Sequence, residues 1–113
     1  MTATATELGA DLTILVPMLG RPHRVGPLLE SIRRATPDAD VLWCCTPTDR
    51  AVLDKLETSG QQYITVPHQR GDYARKINAG YRETSRPLLF TAADDLLFHP
   101  GWLQSLLDAY GNA

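Results

Sequence analysis

Several things that would take a chain out of the ordinary globular class are scarce here. Only two cysteines occur in 113 residues, and they are neighbours, Cys44 and Cys45. Adjacent residues close no useful loop, which rules out an ordinary structural cross-link. No apolar run approaches the roughly 20 residues that a membrane-spanning helix needs. The N-terminus also lacks a positively charged stretch followed by a long apolar one. Together these absences point to a cytoplasmic protein in a reducing compartment. Charge of one sign is missing too: 11 Lys+Arg stand against 13 Asp+Glu, a formal net charge of -2. A dedicated nucleic-acid binder usually carries a basic excess, so the balance argues against nucleic acid as the partner. Gly-x-Gly-x-x-Gly, Gly-Lys-Ser and Gly-x-Ser-x-Gly are all absent, which disfavours dinucleotide, P-loop and nucleophile-elbow readings.

What is present is a regular alternation. Residues 1–10 show no sustained period and read as a flexible leader, leaving 11–113 as one domain. With 43% hydrophobic residues the chain can bury a core. Leu12–Pro17 (LTILVP) has the continuous apolar, β-branched character of a strand buried on both faces. Met18–Arg24 reads as a loop, and from Gly26 a helical period begins, with Val25, Leu28, Leu29 and Ile32 on one face and Pro37 ending it. Val41–Thr46 is the second strand. Thr48 is placed to cap a helix carrying Val52, Leu53 and Leu56, which Gly60 stops. Tyr63–Val66 is the third strand, and after the Pro67–Gly71 loop Asp72 caps a helix that runs through Thr84. Leu88–Ala92 is the fourth strand. Leu96–Pro100 then connects to a last helix bearing Trp102, Leu103, Leu106, Leu107 and Tyr110. Strands and helices that alternate without a hairpin signal call for βαβ crossovers, hence an α/β fold with a mainly parallel sheet and helices on both faces.

Ligands of such sheets sit outside the carboxyl ends of the strands, and the unusual residues gather there. Asp94 and Asp95 directly follow the fourth strand, where hard oxygen ligands suit Mg²⁺ or Mn²⁺ and, through the ion, a diphosphate. Taken alone the dipeptide also fits a second reading, in which it only caps the following turn. Arg21 and Arg24 offer two guanidinium groups beside the first strand's end, a grip for phosphate or simply a solvated loop. Arg70, Arg75 and Lys76 lie at the start of the third helix, whose amides favour an anion; Arg82 and Arg86 read as a solvated face. His23, His68 and His99 have no metal-ligand spacing, although His68 and His99 could approach one another. The cysteines sit in a buried strand, where packing outweighs reactivity.

Three segments add a resemblance: LTILVPMLGRP, GDYARKINAGYRETSRPLLF and TAADDLLFHPGWLQSLL. From Leu12 to Tyr110 the chain resembles the nucleotide-sugar-binding half of GT-A glycosyltransferases, most closely those of family 2. The matching motifs are Asn78-Ala79-Gly80, Asp94-Asp95 and Pro100-Gly101-Trp102-Leu103. The resemblance implies a Rossmann-like architecture, and with it a metal reading of the aspartates. It further implies that Pro17 and Arg21 border a nucleotide pocket and that Arg24, Asp49, Arg75, Lys76 and Asn78 belong to the donor site. Asp94 would then hold Mg²⁺ or Mn²⁺ on the donor's diphosphate. Ala92 stands where the family's first motif acid usually lies, and only Asp49 remains of the turn that follows the second strand.

The chain stops about one helix after the metal motif, short of the segment that binds acceptor and supplies a general base in the family. Asp95 is the one nearby spare carboxylate for that role. Two expectations therefore stand side by side: a metal-assisted glycosyltransferase-like domain acting on an unknown acceptor, and a non-catalytic binding or assembly module of the same fold. A partner subunit, or a homo-oligomer of this chain, completing the acceptor site lies between them.

Overall fold

The apolar run Leu12–Pro17 forms β1, and its residues from Leu12 to Val16 are buried irrespective of the side they face. Only a central strand covered on both sides gives that pattern. In the computed structural model, which describes residues 9–111 with side chains through 109, β1 is indeed the centre. β2 (Asp40–Cys45) lies on one side of it and β4 (Leu88–Thr91) on the other, with β3 (Tyr63–Thr65) at the far edge. The order is β3-β2-β1-β4 and all pairs are parallel, with Ile14 opposite Val41 and Phe90, and Trp43 opposite Tyr63. The expected parallel sheet is therefore present. Most of the leader expectation falls on residues 1–8, which lie outside the described residues.

Alternation along each strand sorts the core into two layers. Ile14, Val16, Trp43 and Cys45 face α1 (Val25–Ala35) and α2 (Arg50–Thr58), which bury Val25, Leu28, Leu29 and Ile32, and Val52, Leu53 and Leu56 respectively. Phe98 and α4 (Trp102–Gly111) extend this layer: the rings of Phe90, Phe98 and Trp102 pack edge-on or tilted, with centroids 4.9 to 5.7 Å apart. Such geometry is the favoured one for aromatic quadrupoles. Leu15, Leu42 and Cys44 point the other way, toward α3 (Asp72–Glu83), with Ile64, Ile77 and Leu89 at the margin.

From β1 to β3 the chain steps in one direction with α1 and α2 on one face. It then returns past β1 to β4 with α3 on the other face. One handedness of crossover requires this change of face when the direction reverses. The reversal leaves a crevice between the carboxyl ends of β1 and β4, the usual place for a ligand in an open α/β sheet.

Several local expectations are refined. Met18–Arg24 is not all loop: Pro22 opens a 3-10 turn over Pro22–Arg24, its fixed φ suiting the first position. The N-cap of α2 is Asp49 rather than Thr48, and its side chain makes no capping bond. Asp72 is the first residue of α3, not its cap; the cap is Gly71, held at φ 76°, where a Cβ would be strained. Arg86 is not on a solvated face. Its Nη1 donates to the carbonyls of Leu12 and Asp38 at 3.2 and 2.9 Å, tying β1's start to the loop before β2.

Gly80 lets α3 lie close on the sheet. A Cβ there would meet Cys44 Sγ at 2.8 Å and both Leu15 methyls at 3.1 Å, so no larger residue fits without displacement. This gives the last residue of Asn78-Ala79-Gly80 a packing reason.

Candidate functional site

The β1 exit is fixed from three sides. Met18 N donates to Cys44 O at 2.9 Å, which prolongs the ladder by one residue. Gly20 turns the chain at φ 69°, and its N–H donates to Asp49 Oδ2 at 2.7 Å. Lys76, only 1% exposed, donates from Nζ to Met18 O at 2.8 Å and pairs with Asp72 Oδ2 at 2.7 Å. A buried ammonium needs such a carboxylate and acceptor to offset its lost hydration. The 3-10 turn that follows presents Arg21 and Arg24.

The β4 exit meets it. Ala92 N donates to Leu15 O at 2.8 Å, and Leu96 N to Ala93 O at 3.2 Å, so Asp94 and Asp95 occupy the centre of a tight turn rather than an extended strand end. Arg21 Nη1 stands 3.2 Å from Asp94 Oδ1, and Arg24 Nε donates to the Asp94 carbonyl at 2.9 Å. One arginine thus holds the carboxylate and the other its backbone. Tyr73, from the first turn of α3, reaches over to the Ala92 carbonyl at 3.3 Å.

Between these exits lies a cleft of ≈180 Å³, bordered by Pro17, Leu19, Asp72, Tyr73, Lys76 and Asp94. Larger clefts of ≈290 Å³ lie elsewhere. One runs from Arg33 to Gln61 near the end of α1, and another lies between Leu42, Ile64 and Ser85 on the uncovered flank of the α3 face. Neither is lined by a site residue expected from the sequence, and the smaller cleft holds the convergent charges, so it is the candidate site.

Of the expected residues, Pro17, Lys76 and Asp94 line the cleft, and Arg21 and Arg24 stand beside it, joined to it through their bonds to Asp94. Asp49 stands behind the loop, spent on Gly20. Arg75 and Asn78 are exposed on α3 and outside the lining. Asp95 is exposed on its turn. His68 and His99 do not share a site: His68 Nδ1 lies 3.3 Å from Asp72 Oδ1, whereas His99 lines a groove with Pro27 and Ser31 of α1. Sequence reasoning missed Asp72 and Tyr73 as lining residues. The signal was the Asp72–Lys76 spacing of four, which places an acid and a base together on one helix face.

Lys76 is committed to structure, leaving Arg21 and Arg24, which contact Asp94, as the cations beside the cleft. Asp94 keeps Oδ2 without a partner among the described residues, at 15% side-chain exposure. No group of three or more His, Cys, Asp or Glu able to hold a metal occurs among the described residues. A hard cation such as Mg²⁺ keeps several waters and needs only one or two carboxylates when a substrate supplies phosphate oxygens. The donor set, a single half-buried carboxylate flanked by two arginines, fits that shared mode and no all-protein cage.

The cysteines are chemically quiet. Burial pushes the Cys44 thiol up to about 11, partly offset by nearby Lys76, and burial with the neighbouring Cys44 pushes Cys45 up to about 12. Neither supplies thiolate at neutral pH. Among the described residues no helix is long and apolar enough to cross a membrane. No protein-family model matches the chain, and no curated protein matches it at a significant level.

Proposed function

We propose that the β1/β4 cleft is the donor site of a glycosyltransferase-like domain, binding a nucleotide-diphosphate sugar together with Mg²⁺ or Mn²⁺. The observation that carries this reading is the meeting of Arg21, Arg24 and Asp94 where the strand order reverses. Loops from opposite sides of the reversal supply two guanidinium groups and one hard carboxylate, which is the complement of a diphosphate with its counter-cation. At ≈180 Å³ the cleft is smaller than a typical ligand pocket, about 300 Å³ and above. It takes the diphosphate, while the nucleoside and sugar lie along the open carboxyl edge of the sheet. Asp94 would hold the cation, which when bound neutralises charge developing on the leaving diphosphate. Arg21 would turn to phosphate oxygens, Arg24 keeps the Asp94 turn in place, and Pro17 lines the cleft.

One feature favours a second reading, donor binding without turnover. Both carboxylates of the cleft already have a role, Asp72 as the partner of the buried Lys76 and Asp94 as the carboxylate assigned to the cation, so neither stands as a dedicated base for an acceptor hydroxyl. Calorimetric titration with UDP- and GDP-sugars in the presence of Mn²⁺ tests the shared part. Saturable binding lost in Asp94→Ala is expected; no binding across the set, or equal binding by the variant, ends the donor reading. Release of free sugar or transfer to an added acceptor by the purified chain would then remove the non-catalytic version.

A further inference from the structure

The Asp94 carboxylate, the residue assigned to the cation, is already held by a cation of the protein itself. Arg21 Nη1 stands at 3.2 Å from Oδ1, with its side chain 48% exposed and that of Asp94 only 15%. Arg21 follows Gly20, which is in the left-handed region at φ 69° and is fastened through its N–H to Asp49. Arg24 in the same turn bonds only the Asp94 backbone carbonyl, not the carboxylate. The backbone on both sides of the cleft is thus pinned, while the exposed Arg21 head is free to exchange one anionic partner for another.

We propose that the Arg21–Asp94 pair is a latch that couples the two ligands of the cleft: diphosphate draws Arg21 off Asp94, and the carboxylate then binds a divalent cation more tightly. The inference rests on the reading of the cleft as a cation-assisted diphosphate site. With the cleft empty, a dication at Asp94 faces the guanidinium beside it, and like charges at such separations repel. A diphosphate supplies anionic oxygens to both cations and removes the conflict. Each ligand then raises the affinity of the other by one shared factor, since coupling between two sites is reciprocal.

The test measures Mn²⁺ alone, by its electron paramagnetic resonance signal, on the whole chain and on Arg21→Gln, Arg24→Gln and Asp94→Asn. UDP titrations follow with and without Mn²⁺. The latch requires Arg21→Gln to bind Mn²⁺ about two- to fivefold more tightly than the unaltered protein, the range an exposed ion pair is worth. It also requires the mutual enhancement between Mn²⁺ and UDP to shrink in that variant, and Mn²⁺ binding to vanish in Asp94→Asn. Arg24→Gln removes the same charge from the same turn without touching the carboxylate. Equal tightening in Arg24→Gln, or none in Arg21→Gln, overturns the latch. If Mn²⁺ and UDP enhance one another and Arg21→Gln both tightens Mn²⁺ and weakens that enhancement, while no nucleotide sugar binds the unaltered protein, the latch stands and the donor-sugar reading falls. If nucleotide sugars bind but the enhancement is the same in Arg21→Gln, the latch falls and the donor reading stands.

Discussion

The two faces of the sheet divide the work of the molecule. On one, α1, α2 and α4 bury a layer of branched aliphatics around Trp43, which is 0% exposed. On the other, α3 stands alone over three buried residues, Leu15, Leu42 and Cys44, and contributes Asp72, Tyr73 and Lys76 to the cleft. The first face holds apolar area and little chemistry; the second holds charge at a cost in packing. A layer that needs Gly80 for contact and a buried ion pair for its loop has few ways to tolerate change. A layer built on interlocking Val, Leu and Ile has more.

Substitutions on each face should break the comparison differently. Trp43→Ala opens the thick layer and removes the hydrogen bond from Nε1 to Gln61. Urea unfolding should show a loss of about 3–5 kcal/mol, the largest of the set. Lys76→Met strands Asp72 without its ammonium, and about 3 kcal/mol should be lost. The double variant with Asp72→Asn should recover most of it, whereas a merely tight fit around position 76 would predict no recovery. Gly80→Ala forces a Cβ onto Cys44 Sγ, and overpacking of this kind costs about 1–3 kcal/mol against a gain of about 1 kcal/mol in helix propensity. A small net loss, reduced when Cys44→Ala is added, is expected by thermal melting.

The smallest effect at neutral pH belongs to the cysteines, one on each face. Their folded-state values, about 11 for Cys44 and about 12 for Cys45, lie above the unfolded value of 9.0. The native state therefore holds its protons longer, and this contribution is complete below pH 9 and lost as pH rises through 11 and 12. Unfolding followed from pH 7 to 12 should be flat at first and then fall. A Cys44→Ala, Cys45→Ala variant should fall less steeply over the alkaline span; an unchanged slope would mean that the thiols are not what titrates.

Much of the thick face was legible in the sequence, because its signals are periodic and local. LTILVP marks a two-sided strand, and Val25, Leu28, Leu29 and Ile32 mark a helix, with ends displaced by one residue at most. The thin face was read less well. Asp72 looks like a cap because Asp often is one, but Gly71 takes the left-handed position and frees the carboxylate for Lys76. Lys76 reads as a cation for an anionic ligand, because nothing local says that the Met18 carbonyl, 58 residues away in sequence, will lie against it and take its ammonium. Asp94 and Arg21 are both visible as candidates; their 3.2 Å contact depends on β1 and β4 being neighbours, and no local pattern encodes that.

That neighbourhood has a kinetic side. β1 stands at the middle of the sheet, with its partner β2 close in the chain and its partner β4 far along it, so that Leu12 pairs with Leu88. Closing so long a loop is slow, and parallel pairing is the last contact to repay its entropy. During refolding the β1-β2-β3 unit has its apolar central strand bare along one edge until β4 arrives. Over that interval the edge is a template for the same strand of another molecule. Yield on dilution from denaturant should therefore depend on protein concentration more than the native fold, with β1 enclosed, would suggest.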